Sequence, residues 1–389
     1  MMKNVCLLGA TGSIGLQTLD LIEEFSDEYK LTAISFGKNI KVAKEIIDKF
    51  HPLYVSCMDE EVSLELKKLY PYLEVGYGDK GLKEVAEFKT DNPIVINALV
   101  GSVGLYPTIC AIKHHRDVYL ANKETLVIGG KIVTKLAEDN KVKIIPIDSE
   151  HSAIMQLIHN HDKKDIKRLI ITASGGSFRD RTRDELENVT VDDALKHPNW
   201  KMGAKITIDS ATMMNKGFEL IEAHYLFDMP MSKIVPILHK ESIIHSMVEF
   251  NDGSIFAQMA SSDMHLPIKY ALMNPSHSKS LNIEPLDLFN IDSLHFSKLD
   301  SKRYPMISYA VESLEKGDIY PTILNSSNEA CVKLFLEGKI KFLDIERIVK
   351  AALDNKEYEK YNQLPFTIDL IYEVDKVVRK DVLEGKFGE

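Results

Sequence analysis

A glycine-rich turn caught between a short apolar run and an amphipathic segment constrains this chain more than any other feature. Val5-Cys6-Leu7-Leu8 leads straight into Gly9-Ala10-Thr11-Gly12-Ser13-Ile14-Gly15, after which Ile14, Thr18, Ile22 and Phe25 recur on one helix face. The same alternation continues, with strand-like runs at 5–8, 31–35, 53–56, 94–97, 118–120 and 143–147 separated by amphipathic segments. Strand and helix in alternation imply right-handed crossovers and a parallel sheet covered on both faces.

Beyond Asp148 the texture changes. A strand over 166–172 precedes about thirty residues, 174–204, rich in Gly, Arg, Asp and Pro and longer than an ordinary connection, which read as a lid. Two β-rich runs, 243–250 and 254–259, flank Asn251-Asp252-Gly253, a strong hairpin signal. Residues 274–281 have linker composition, and four helical segments follow near 304–316, 325–337, 343–354 and 367–383. At roughly 150 residues per domain the 389 residues hold more than one core. The expected architecture is α/β: a Rossmann-like parallel-sheet domain over 1–147, an α+β catalytic domain over 148–273, a linker over 274–303 and a C-terminal helical bundle over 304–389.

The position of the glycine turn carries its meaning. Glycines let the backbone approach a pyrophosphate, and the helix N-terminus that follows offers free N–H groups and a partial positive charge. The spacing is GxxGxxG rather than GxGxxG, and the evidence is its place after a first strand and before a first helix. Enzymes that use NAD place a carboxylate after the second strand for the ribose hydroxyl, where this chain has Ser35-Phe36-Gly37-Lys38-Asn39. A lysine and no acid there favour the 2′-phosphate of NADP.

The strand 143–147 carries Asp148-Ser149-Glu150 at its C-terminal end, and in an extended segment residues i and i+2 project to the same side, so two carboxylates can converge on one point. Glu219 follows Asn215-Lys216-Gly217 at a helix start, with Glu222 one turn on. Three hard oxygen donors suit Mg²⁺ or Mn²⁺. Ser174-Gly175-Gly176, His197-Pro198-Asn199-Trp200, Ser210, Asn215 and Lys216 supply hydroxyls, an amide and an ammonium of the kind that hold a phosphate. The balance of 48 Lys plus Arg against 58 Asp plus Glu gives a net charge of −10, which argues against nucleic acid as a partner. No apolar run reaches the ~20 residues that span a bilayer, so no membrane association is expected. Cys6, Cys57, Cys110 and Cys331 lie far apart without a CxxC pair, and the first strand begins where a signal or transit peptide would lie; both point to a cytoplasmic chain.

With these residues in place a specific resemblance emerges. Leu120-Ala121-Asn122-Lys123-Glu124-Thr125, Pro146-Ile147-Asp148-Ser149-Glu150-His151-Ser152, Ala173-Ser174-Gly175-Gly176-Ser177-Phe178-Arg179, His197-Pro198-Asn199-Trp200-Lys201-Met202-Gly203 and the run from Lys205 through Asp209-Ser210-Ala211-Thr212-Met213-Met214-Asn215-Lys216 to Glu219 resemble motifs of the 1-deoxy-D-xylulose 5-phosphate reductoisomerases, in order along the chain. Ser177 departs from the proline common in that family. The resemblance implies that Thr11, Gly12, Ser13 and Ile14 hold the NADPH pyrophosphate, that Gly37, Lys38 and Asn39 hold the 2′-phosphoribose, and that Asn122, Glu124 and Gly203 also touch the cofactor. It implies that Asp148, Glu150 and Glu219 bind Mg²⁺ or Mn²⁺, and that Lys123, Ser149, Glu150, Ser174, His197, Ser210, Asn215, Lys216 and Glu219 contact a small sugar phosphate. Lys123, Glu150 and His197 are the implied catalytic residues, with Lys123 and Glu150 as proton carriers and His197, Trp200 and Met202 on a loop that closes over the sugar. The implied reaction is a metal-dependent rearrangement of 1-deoxy-D-xylulose 5-phosphate and NADPH-dependent reduction to 2-C-methyl-D-erythritol 4-phosphate, in the non-mevalonate route to isoprenoid precursors, by a homodimer.

Two other readings use the same glycine turn. An aspartate-semialdehyde-type dehydrogenase needs an activated cysteine, and Cys110 in Tyr106-Pro107-Thr108-Ile109-Cys110-Ala111 looks instead like a buried helical thiol. A non-catalytic NADP sensor has no use for three converging carboxylates.

Overall fold

The computed structural model describes residues 2–388, which form two compact units. One comprises the chain up to Thr125 with Val133–Ser152 and Asp263–Glu284; the other comprises Leu126–Ile132, Ala153–Ser262 and the chain from Pro285 onward.

In chain order the first unit contains β1 (Lys3–Leu8), α1 (Ser13–Glu24), β2 (Tyr29–Ser35), α2 (Ile40–Phe50), β3 (Tyr54–Cys57), α3 (Glu60–Leu69), β4 (Glu74–Tyr77), α4 (Gly78–Ala86), β5 (Pro93–Asn97), α5 (Leu105–Lys113) and β6 (Asp117–Leu120). Then come α6 (Lys123–Asn140), β7 (Ile144–Pro146) and α7 (Ser149–Leu157). The seven strands form one sheet in the order β4-β3-β2-β1-β5-β6-β7, with every pairing parallel. Strand residues Val5, Leu7, Leu31, Ile34, Val55, Ile94 and Ile96 share a core with Leu19 and Ile22 of α1 and Ile46 and Ile47 of α2. Each such side chain contributes ~1.5–3 kcal/mol by leaving water. The order reverses between β1 and β5, and a crevice opens at such a switch point, outside the carboxyl ends of the strands. The glycine turn lies there. Gly9 has φ +86°, and a Cβ on it would fall 2.6 Å from the Ala98 carbonyl oxygen, so only glycine fits.

The second unit contains β8 (Ile166–Ala173), α8 (Val191–Ala194), α9 (Ala204–Thr212), α10 (Met214–Phe227), β9 (Ile234–Leu238), β10 (Ile244–Phe250) and β11 (Ile255–Met259). The strands make a sheet in the order β11-β10-β8-β9, antiparallel at β10 and parallel between β8 and β9. The expected hairpin is present, with Gly253 at φ +91°. Leu169, Ile171, Val248 and Phe250 pack against Met213, Leu220, Ala223, Tyr304 and Ile307.

Helix α11 (His265–Met273) follows, then α12 (Pro305–Lys316), α13 (Tyr320–Leu336), α14 (Phe342–Leu353) and α15 (Ile368–Leu383). The division differs from the sequence-based boundaries: α11, placed there with the catalytic domain, and the first third of the supposed linker, 274–284, belong to the sheet unit. Ile268, Ala271 and Leu272 join its core, the Tyr29 hydroxyl donates to the Leu272 carbonyl (2.6 Å), and Glu24 accepts from the Ser280 hydroxyl (2.8 Å) and the Leu281 amide (2.7 Å). The helix buries its apolar face on α1, and composition alone conceals that.

Candidate active site

In the sheet unit the N-terminus of α1 is uncapped. Gly12 at the N-cap offers no side-chain acceptor and the first turn carries no acid, so its N–H groups remain available to an anion. Gly37, Lys38 and Asn39 form an exposed loop beyond β2, with open space around Gly37. The Asn39 side chain caps α2 by accepting from the Val42 amide (3.3 Å), a structural task beside the one expected of it. Asn122 is more fully occupied. Its amide nitrogen donates to the Leu99 and Gly101 carbonyls (3.0 Å each) and to Glu124 (2.9 Å), while its oxygen accepts from the Thr125 amide (3.2 Å). Both ends of that amide are committed to shaping the start of α6.

Next to it, buried Lys123 donates to Asp148 (2.8 Å), and His151 Nδ1 lies 3.4 Å from the other Asp148 oxygen. Burial alone would raise the Asp148 carboxyl, but the Lys123 ammonium and His151 outweigh it and hold the group well below the usual carboxylate range. The sequence-based geometry needs correcting here. β7 ends at Pro146 and α7 begins at Ser149, so Asp148 and Glu150 are brought together by a strand-to-helix turn, not by alternation along a strand. The Asp148 side chain accepts from the Glu150 amide (3.3 Å), and Ser149 donates to the Glu150 carboxylate. A helix start also puts His151 three residues on against Asp148; the strand reading hid that relation.

In the second unit, Ser174 stands just past β8 and its hydroxyl lies 3.0 Å from His197 Nε2. His197 Nδ1 accepts from the Asn199 (3.2 Å) and Trp200 (3.0 Å) amides, which fixes the tautomer with its proton on Nε2. Burial, helped by the Arg179 charge, pushes this imidazole down to about 4. His197 is therefore a neutral donor at physiological pH, in contrast to the titrating group a proton carrier requires. Arg179, which the sequence reading left without a role, braces the same loop by donating to Asn199 (3.1 Å) and the Lys240 carbonyl (2.6 Å).

Gly203 caps α9, and Ser210 lies in its last turns. Met213, in the left-handed conformation (φ +66°), joins α9 to α10. On α10, Asn215 donates to Glu219 Oε1 (2.5 Å) and Lys216 donates to Oε2, so spacings of four and three residues bring an amide and an ammonium onto one buried carboxylate. Glu222 is also buried. Cys110 lies buried in α5, its thiol pushed up to about 11 by burial and then by Glu87, the opposite of an activated nucleophile.

A parallel sheet with a glycine turn at its switch point, joined in one chain to a mixed-sheet unit carrying lysine-paired carboxylates, defines a dinucleotide-dependent oxidoreductase. Comparison with known proteins narrows the class. The family model described as 1-deoxy-D-xylulose 5-phosphate reductoisomerase matches residues 5–130, and two models of its C-terminal domain match residues 144–227 and 259–381. A 1-deoxy-D-xylulose 5-phosphate reductoisomerase of Bacillus subtilis (strain 168) is 52% identical over 97% of this chain and 98% of its own length, and one from Geobacillus sp. (strain WCH70) is 48% identical over 98% and 99%. The crystal structure of a DOX-P reductoisomerase in complex with NADPH, fosmidomycin and magnesium superposes with a TM-score of 0.94 at 37% identity, covering 100% of this chain and 98% of that one. The chain belongs to the 1-deoxy-D-xylulose 5-phosphate reductoisomerase family.

Proposed function

We infer that this protein converts 1-deoxy-D-xylulose 5-phosphate to 2-C-methyl-D-erythritol 4-phosphate, with NADPH and a divalent cation, in the isoprenoid precursor pathway. The observation that carries the reading is the buried Lys123–Asp148 pair beside Glu150, which keeps a hard, ionised oxygen donor at a strand-to-helix turn. Asp148, Glu150 and Glu219 are the residues proposed to bind Mg²⁺ or Mn²⁺; carboxylate donors fit such an ion. Thr11, Gly12, Ser13 and Ile14 hold the dinucleotide pyrophosphate on the uncapped α1 terminus, and Gly37, Lys38 and Asn39 take its 2′-phosphate. Glu124 and Gly203 border the cofactor, and Asn122 positions Glu124.

When bound, the cation supplies Lewis acidity and NADPH the hydride. Ser174, Ser210, Asn215 and Lys216 hold the substrate phosphate, and that remote binding orients the sugar. His197 donates through Nε2–H, on a loop with Trp200 that keeps water out. Lys123 Nζ and the Glu150 carboxylate carry protons, and Ser149 orients Glu150.

The enzyme acts as a homodimer in this reading, supported by the apolar edge strand β11, where Ile255 is 52% and Phe256 45% exposed, and by the fully exposed Phe289. A reducing, cytoplasmic setting is supported by four buried free cysteines. No helix among the described residues is long and apolar enough to cross a membrane.

The test follows NADPH absorbance with 1-deoxy-D-xylulose 5-phosphate, with Mn²⁺ or Mg²⁺ and again after EDTA. Metal-dependent oxidation is expected; cofactor binding without oxidation under any divalent ion would overturn the assignment.

A further inference from the structure

Helix α13 is polar where a bundle helix is normally apolar: Thr322, Asn325, Ser326, Ser327 and Asn328 are all fully buried. Most of this polarity is spent within the bundle. Ser327 bonds back to the Ile323 carbonyl (2.7 Å), Ser326 donates to Asp375 of α15 (2.6 Å), and Asn325 donates to Glu329 (3.0 Å). Arg379 of α15 grips both Asp375 (2.7 Å) and Glu329 (3.0 Å), fixing α13 against its neighbour. Asn328 is different, because its amide nitrogen leaves the bundle and donates to Asp209 Oδ1 of α9 (2.8 Å).

Asp209 sits in the last turn of α9, where the helix dipole is unfavourable to an anion and burial adds to the cost. It is held there by Asn328 and by Lys205 one turn back (2.7 Å). The Asn328 side-chain oxygen finds no hydrogen-bond partner among the described residues, so its amide is oriented by the bond to Asp209.

The neighbours of Asp209 give the pair its meaning. Ser210 is the next residue. The turn that carries Ser174 rests on the same spot, since a Cβ on Gly176 (φ +72°) would fall 2.4 Å from the Ser210 carbonyl oxygen. Three residues past Ser210, the left-handed Met213, whose amide donates to the Ser210 carbonyl (3.1 Å), hands the chain to Asn215 and Lys216 of α10. The end of α9 is thus the common footing of Ser174, Ser210, Asn215 and Lys216.

We propose that Asn328 and Asp209 are positioning residues for the substrate phosphate, through a buried bond by which the C-terminal helices set the place of the last turn of α9. This rests on the phosphate-binding reading above. The NADPH contacts proposed on α1 and after β2 belong to other elements, and Gly203 caps α9 at the end opposite to Asp209.

Steady-state NADPH oxidation by the full-length protein, with each substrate varied in turn, tests the idea. Asn328→Ala is expected to raise KM for 1-deoxy-D-xylulose 5-phosphate about tenfold, as small misplacements of binding groups do, with KM for NADPH unchanged. Exchanging the partners, Asp209→Asn with Asn328→Asp, restores the bond in reverse and recovers most of the loss. Asn325→Ala, on the same buried helix but bonded within it, lowers Tm without moving either KM. If Asn328→Ala does not fold, Asn328→Ser and the exchanged pair report the same quantities. Positioning is overturned if Asn328→Ala or its stand-in lowers Tm while the sugar-phosphate KM stays at the wild-type value, or if the exchanged pair recovers nothing. A sugar-phosphate KM that stays unchanged in Ser210→Ala, or a wild-type protein that never oxidises NADPH, brings down the underlying reading and this one with it.

Discussion

The parallel-sheet unit and the C-terminal helices bury polar groups in opposite ways. In the sheet unit the interior is aliphatic, and apart from Arg116 before β6 and Lys269 on α11 its buried amides and charges collect at or just past the carboxyl ends of strands, where Asn97 ends β5, Asn122, Lys123 and Glu124 follow β6, and His151 follows β7. In α13 they run through the middle of the helix. Polar groups gathered at the carboxyl rim of a parallel sheet lie where such sheets bind their ligands, whereas buried polarity inside a bundle records which helix must face which.

This contrast can be broken by experiment. The largest effect is expected from Asp148→Asn, a fall in kcat of at least about 10²-fold with a loss of Tm short of a core truncation, because the ionised donor is lost while the isosteric amide oxygen can still accept from Lys123. A fall in Tm matching that of a core mutant would erase the distinction. Ile96→Ala supplies that standard: a wholly buried β5 side chain should cost about 2–5 kcal/mol in denaturant unfolding. Asn122→Ala falls between, at about 1–3 kcal/mol, since the Leu99 and Gly101 carbonyls after β5 and the Thr125 amide at the start of α6 lose a partner; kcat and Tm should drop together. Lys38→Ala should raise KM for NADPH about tenfold and leave that for NADH unmoved, the loss of one charge-assisted contact at an exposed loop.

The smallest effect concerns acid. His197 is depressed to about 4 from an ordinary value near 6.5, so the opened loop binds a proton across that window while the closed loop does not. Its contribution is therefore intact above about pH 6.5 and declines towards pH 4. Asp148, depressed far below its ordinary value, keeps its contribution down to about pH 4 and loses it only below. Amide protection factors, corrected for the intrinsic pH dependence of exchange, should fall around residues 197–200 between pH 6.5 and 4 before they fall near Asp148; the reverse order would contradict the depressed His197 imidazole.

The same contrast decided what was legible in the sequence. Alternating apolar runs announced six of the seven parallel strands; β4 escaped because Glu74–Tyr77 is short and buries only Val75. The start of α13 was placed five residues late because Pro321 and Thr322 read as loop residues in a local window, although proline fits the first turn of a helix. Asp148, Glu150 and Glu219, proposed here as the cation's ligands, were singled out by residue type and spacing, but the turn that joins the first two was not foreseen, since Asp-Ser-Glu suits a strand end and a helix start equally well. The affiliation of α11 depends on Tyr29 and Glu24, more than 200 residues earlier, and no local pattern encodes such a contact.

That affiliation has a consequence for synthesis. The sheet is complete in sequence once β7 has been made, yet the helix that covers α1 leaves the ribosome roughly 130 residues later. At elongation rates of about 5–20 residues per second, the nascent domain waits on the order of ten seconds with that apolar surface bare. During that interval the unfinished domain is a natural client for a chaperone.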